Sequence, residues 1–123
     1  MDTLLYKVAG VDVHKKFVMV CVRSTDATTG KVVEEVRRYS TMTGELRTMA
    51  AWLTECGVTH VAMESTGVYW KPVWNILEGR FQLVLGNPRE FKQVPGRKTD
   101  VKDCAWIAHL LSCGLLTSSF VPE

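Results

Sequence analysis

Four carboxylates in this sequence lie where chemistry would need them: Asp12, Glu64, Asp100 and Asp103. Asp12 interrupts an apolar run, Val11-Asp12-Val13. An acidic group buried in such a run is unfavourable unless it is paired or binds a metal. Glu64 follows the apolar stretch Val61-Ala62-Met63 and precedes Ser65-Thr66-Gly67. The carboxyl end of a strand is where α/β sheets present groups to ligands. Asp100 and Asp103 open an apolar helical pattern, at a spacing that puts both on one face. The N-terminus of that helix favours their ionised form. Oxygen donors from three separate elements suit magnesium, with manganese as a substitute. Two such ions, roughly 3.5–4 Å apart, can hold the attacking and leaving oxygens of one phosphate. Each carboxylate also has a plainer reading. Asp100 serves equally as a helix N-cap with Asp103 three residues on, an acidic variant of the capping box. Glu64 serves as the partner of a nearby lysine. Asp12 is the hardest to explain in that way.

The elements that must position these groups follow from hydrophobic periodicity. Tyr6 to Val13 and Phe17 to Val22 are Val-rich runs that read as buried strands, joined by a hairpin at His14-Lys15-Lys16. The turn cluster 24–30 leads into a charged third strand, Lys31 to Tyr39, which suits a sheet edge. The period then changes. Leu46, Met49, Ala50, Leu53 and Cys56 recur at helical spacing, from a Thr43 cap to a stop at Gly57. A strand from Thr59 to Met63, a helix over 68–78 and a strand from Phe81 to Leu85 follow. The basic segment 89–99 reads as a loop, and Asp100 to Cys113 as a helix apolar nearly all round, closed by Gly114. This order is an α/β pattern with a meander at one edge.

Basic residues flank the carboxylates in the sequence. Lys15 and Lys16 follow Asp12, and Arg89, Lys92, Arg97, Lys98 and Lys102 precede or open the last helix. Such residues suit a phosphate backbone, though a solvated charged loop has the same composition. His14 is a candidate phosphate contact; His60 and His109 read as structural. Tyr69 and Trp70 suit core packing or base stacking. Trp52, Trp74 and Trp106 read as core, or as surface covered by a further domain. Gly67 allows a tight turn after Glu64.

The bulk composition narrows the class. At 123 residues, 46% hydrophobic and 23% charged, the chain suits one globular domain. A net charge of +2 is too small to argue nucleic-acid binding by itself. No apolar segment is long enough to span a membrane, and no secretory leader is apparent, so the cytoplasm is the expected compartment. Cys21, Cys56, Cys104 and Cys113 form no Cys-x-x-Cys pair, which leaves them as structural thiols.

Four blocks, Gly10-Val11-Asp12-Val13-His14-Lys15, Met63-Glu64-Ser65-Thr66-Gly67-Val68-Tyr69-Trp70, Asn87-Pro88 and Lys98-Thr99-Asp100-Val101-Lys102-Asp103, resemble the DEDD-type transposases of bacterial insertion sequences. Their N-terminal domain is similar to the Holliday-junction resolvase RuvC. The resemblance implies a ribonuclease H-like α/β fold, with a five-stranded mixed sheet of order 3-2-1-4-5 flanked by helices. It implies that Asp12, Glu64, Asp100 and Asp103 form a catalytic, magnesium-binding tetrad acting in DNA recombination. It further implies a structured bridge RNA as guide and a homo-oligomer when full length, with no membrane partner. Residues 1–117 are then the catalytic domain and 118–123 the start of a linker to a second domain. That domain carries the serine nucleophile in the family. Neither Ser65 nor Ser112 replaces it, so this chain alone is expected not to complete recombination. Cys104 stands where the family often has a smaller residue.

Other readings make different demands. A stand-alone RuvC-like nuclease requires a complete site in this chain. A nucleic-acid-binding module without catalysis requires no metal. A sugar-kinase or actin-like ATPase half needs small residues and glycine after the first aspartate, where His14-Lys15-Lys16 stands instead.

Overall fold

The computed structural model describes residues 6–65, 67–86 and 103–114, without the side chains of Ser65 and Asp103. The Val-rich runs form β1 (Lys7–Val13) and β2 (Phe17–Thr25), and the charged segment forms β3 (Val32–Ser40). Next come α1 (Thr43–Glu55), β4 (His60–Ser65), α2 (Trp70–Leu77), β5 (Gln82–Leu85) and α3 (Asp103–Ser112). The five strands make one mixed sheet of order β3-β2-β1-β4-β5, as the resemblance implies. β1, β2 and β3 are an antiparallel meander; β4 lies parallel to β1, and β5 parallel to β4.

Strand periodicity sorts the side chains onto two faces. On one face, Ala9, Val11, Val13, Val18, Val20, Val61 and Met63 form a core with α1 and α2. Leu46, Met49, Ala50 and Leu53, one stripe of α1, are fully buried there, as their spacing predicts. On the other face, Val8, Cys21 and Ala62 meet Cys104, Ile107, Ala108 and Leu110 of α3. The expectation of a largely buried last helix holds for α3.

Some boundaries differ from the sequence reading. Met42 is the N-cap of α1, not Thr43, and it makes no side-chain cap. The junction is tied instead by Glu45, whose carboxylate accepts the Ser40 N–H at 2.9 Å, and by Ser40 Oγ, which accepts the Met42 N–H at 3.3 Å. Gly57, at φ +78°, ends α1 as expected. The Val58 N–H then reaches the Leu53 carbonyl at 3.1 Å, a Schellman-type closure. α2 is shorter than 68–78, because Val68 and Tyr69 lie in the preceding turn and are 62% and 38% exposed. The core reading therefore fails for Tyr69, while Trp52 and Trp106 are buried. β2 runs past Val22 to Thr25, because Ser24 and Thr25 still pair with Val33 and Val32. All four cysteines are free thiols. Among the described residues, no helix is long and apolar enough to cross a membrane.

Candidate metal centre

The site begins at the parallel pairing of β1 with β4. Asp12 is the register partner of Glu64. Directly paired residues on neighbouring strands share a face, and the strands lie about 4.8 Å apart. Asp12 and Glu64 therefore stand side by side on the face covered by α3. The Asp12 side chain is only 16% exposed, and Glu64 is partly buried. Their oxygen chemistry, partial burial and fixed strand positions fit a hard divalent ion.

His14 adds a contact to Asp12 that the sequence reading did not include. Its Nε2 donates to Asp12 Oδ2 at 2.9 Å, and its ring stacks on Phe17 with centroids 4.4 Å apart. The hairpin brings this about. The His14 N–H donates to the Phe17 carbonyl at 2.9 Å, closing a tight turn that sets the two rings face to face. This contact fixes the imidazole beside the Asp12 carboxylate. The signal was the His at i+2 from the aspartate, a spacing that returns a side chain to the same side of an extended chain.

Gly10 carries a second overlooked signal. It lies two residues before Asp12 on the same face, and α3 crosses directly over it. A Cβ built there would sit 2.3 Å from the Cys104 carbonyl oxygen and 2.4 Å from the Ala108 nitrogen. Only a residue without a side chain admits the helix backbone at this distance. Farther along α3, His109 feels the charges of Arg23 and Glu34, and Arg23 pairs with Val8 near the start of β1. Hence α3 runs antiparallel to β1, with its Asp103 end toward the Asp12 end of the strand.

Asp12 and Glu64 are thus brought together, and the backbone of Asp103 is directed to the same end of the sheet. The Asp103 side chain and the whole of Asp100 lie outside the described residues. So do Arg89, Lys92, Arg97, Lys98 and Lys102, the expected loop 89–99 and the expected linker 118–123. Lys15 and Lys16 are exposed in the hairpin directly after Asp12. Among the described residues, no group of three or more His, Cys, Asp or Glu side chains gathers around one point. Gly67, at φ +66°, turns the chain after β4 as expected.

Solved structures share this architecture. Thermus thermophilus RuvC superposes with a TM-score of 0.59 at 14% identity, covering 89% of this chain and 91% of that one. The same protein in complex with a Holliday junction substrate gives 0.55 at 15% identity, covering 89% and 90%. Fowlpox virus resolvase in complex with substrate Holliday junction DNA gives 0.50 at 17% identity, covering 76% and 65%. At these identities the likeness is one of fold, and the fold is ribonuclease H-like. No curated protein matches the sequence. The profile of the IS110-type DEDD transposases matches residues 9–123, from the strand bearing Asp12 through the helix that begins at Asp103, and the chain belongs to that transposase family.

Proposed function

We propose that this chain supplies the metal-dependent DNA-cleaving centre of a recombinase that moves an insertion sequence, with Asp12, Glu64, Asp100 and Asp103 as the carboxylate ligands. The observation that carries the reading is the register of Asp12 with Glu64 on adjacent parallel strands. When bound, paired magnesium ions would stabilise the attacking and leaving oxygens of a phosphodiester. The protein's own part is positioning. β1 and β4 hold two ligands on rigid elements, His14 orients one of them, and α3 carries Asp103 toward the same end. Lys15 and Lys16, with Arg89, Lys92, Arg97, Lys98 and Lys102, neutralise the DNA backbone and supply affinity that is independent of sequence. A structured bridge RNA selects the target. In this reading the carboxylate centre works together with the family's serine nucleophile, and these residues contribute metal and DNA binding.

Calorimetric titration with Mn²⁺ tests the centre. Wild-type protein should bind, and Asp12→Ala and Glu64→Ala should each lose binding while keeping the wild-type circular dichroism. Absence of binding in the wild type, or equal binding in all three proteins, would remove the metal-centre reading. Nicking of a branched DNA junction by the chain alone would instead favour a stand-alone nuclease.

A further inference from the structure

β3 is an edge of the sheet, nine residues long, and among the described residues no strand pairs with its outer side. Long open edges invite pairing with another chain, and proteins ordinarily blunt them with charge. The charges here have an unusual order. Val33-Glu34-Glu35-Val36-Arg37-Arg38-Tyr39 places two acids and two bases symmetrically about Val36. We propose that β3 pairs antiparallel with β3 of a second copy of this chain, about a two-fold axis at Val36, to form a continuous ten-stranded sheet.

Register carries the argument. A two-fold axis perpendicular to the sheet reverses the strand and keeps each face on its own side. Centred on Val36, it sets Glu34 opposite Arg38 on the α3 face, and Glu35 opposite Arg37 on the α1 face. Val33 then faces Tyr39. All four charged residues of the strand meet an opposite charge, the arrangement that favours cross-strand pairs. Moving the centre one residue to Glu35 sets that carboxylate against its own copy. Moving it to Arg37 sets two guanidinium groups together. The strand therefore admits one register and penalises its neighbours, which is how specificity is built against slippage.

The exposure of these groups agrees. Val33 is 58% exposed and Val32 39%, high values for strand valines. The Arg38 guanidinium lies 4.0 Å over the Phe17 ring and has no carboxylate partner among the described residues. Glu34 bonds Arg23 at 2.8 Å, and Glu35 bonds Arg37 of its own strand at 3.0 Å. Both carboxylates stay partly open to solvent, and each has lone pairs for a second donor. This pairing does not depend on the carboxylate centre, so either can fail without the other.

Sedimentation of two charge-reversed variants decides it. Arg37→Glu with Arg38→Glu makes the strand acidic on both sides of Val36, and Glu34→Arg with Glu35→Arg makes it basic. Wild type should show a concentration-dependent dimer that weakens with salt, and each variant should be a monomer. An equimolar mixture of the two should recover the dimer, since acid then meets base in the same register. A monomeric wild type, a dimer persisting in both variants, or a mixture that stays monomeric would each overturn the proposal. If a variant loses its circular dichroism, the wild-type salt dependence serves instead, and a salt-insensitive dimer would count against β3.

Discussion

The two faces of the sheet are built to different rules. Under α1 and α2, β1 contributes Ala9, Val11 and Val13, all buried. Under α3, the same strand contributes Val8, Gly10 and Asp12, which are in turn an apolar contact, a clearance and a charge. The period of two in a strand lets six consecutive residues serve both purposes. One face is apolar core throughout. The other leaves out a side chain so that a helix can approach, and then tolerates an acid that the first face would reject. On the proposed assignment the first face serves stability alone, and the second serves both packing and the carboxylates.

The strongest way to break this separation is a crossed pair of variants. Leu53→Ala removes a fully buried side chain from the α1 face and should destabilise by about 2–5 kcal/mol, with Mn²⁺ affinity unchanged. Asp12→Ala should lower Mn²⁺ affinity by more than about 100-fold, beyond the loss typical of outer contacts, while moving the metal-free unfolding midpoint far less than Leu53→Ala does. Denaturant unfolding and calorimetry on both proteins read the four values. If Leu53→Ala weakens metal binding as much as Asp12→Ala does, the faces are not independent.

Gly10→Ala sharpens the comparison, because Gly10 belongs to both functions of its face. The added methyl meets backbone atoms, which cannot rotate away. A loss of about 1–3 kcal/mol is expected from overpacking, together with weaker Mn²⁺ binding as α3 shifts. Destabilisation with intact metal affinity would show that the seat of α3 does not control the centre. His14→Ala should have a smaller effect. Removing the hydrogen bond to Asp12 should weaken Mn²⁺ binding by about 10-fold, the lower end of the range for outer contacts. Stability should change little, since His14 is 44% exposed.

The smallest effect concerns pH. Burial depresses the His109 pKa, the positive charge of Arg23 acts in the same direction, and Glu34 opposes them. The unfolded chain therefore binds this proton at higher pH than the folded one does. The stability contribution is fully present above the ordinary histidine pKa of about 6.5 and is lost as pH falls below it. Thermal midpoints at about pH 7.5 and about pH 5, bracketing that value, should differ less in His109→Gln than in wild type. An identical pH response would show that His109 titrates alike in both states.

The strands and the acids within or at the end of them were legible because each rests on local patterns. Apolar runs mark strands, and acids within or ending such runs mark the carboxyl side of the sheet. The motif blocks then supplied the strand order that periodicity alone leaves open. Contacts that depend on tertiary approach were not legible in the same way. Gly10 reads as an ordinary small residue until α3 is seen crossing it. His14 reads only as a candidate phosphate contact until the hairpin is seen to stack it on Phe17 and return it to Asp12. The Thr43 cap failed for a related reason. Glu45 and Ser40 tie that helix start from both sides, so its N-cap position needs no polar side chain of its own.

The place of α3 in the chain also sets a schedule. Its partners on β1, β2 and β4 are all translated before it, and the contact at Gly10 joins residues more than ninety positions apart. A nascent chain can assemble the α1 and α2 face from segments already made. The opposite face, with Val8, Cys21 and Ala62, must wait uncovered until Cys104 to Leu111 emerge. Asp103 arrives with that same helix, so the proposed carboxylate centre would be assembled only once α3 is in place. The cell would thus meet a sticky half-covered sheet before α3 closed it.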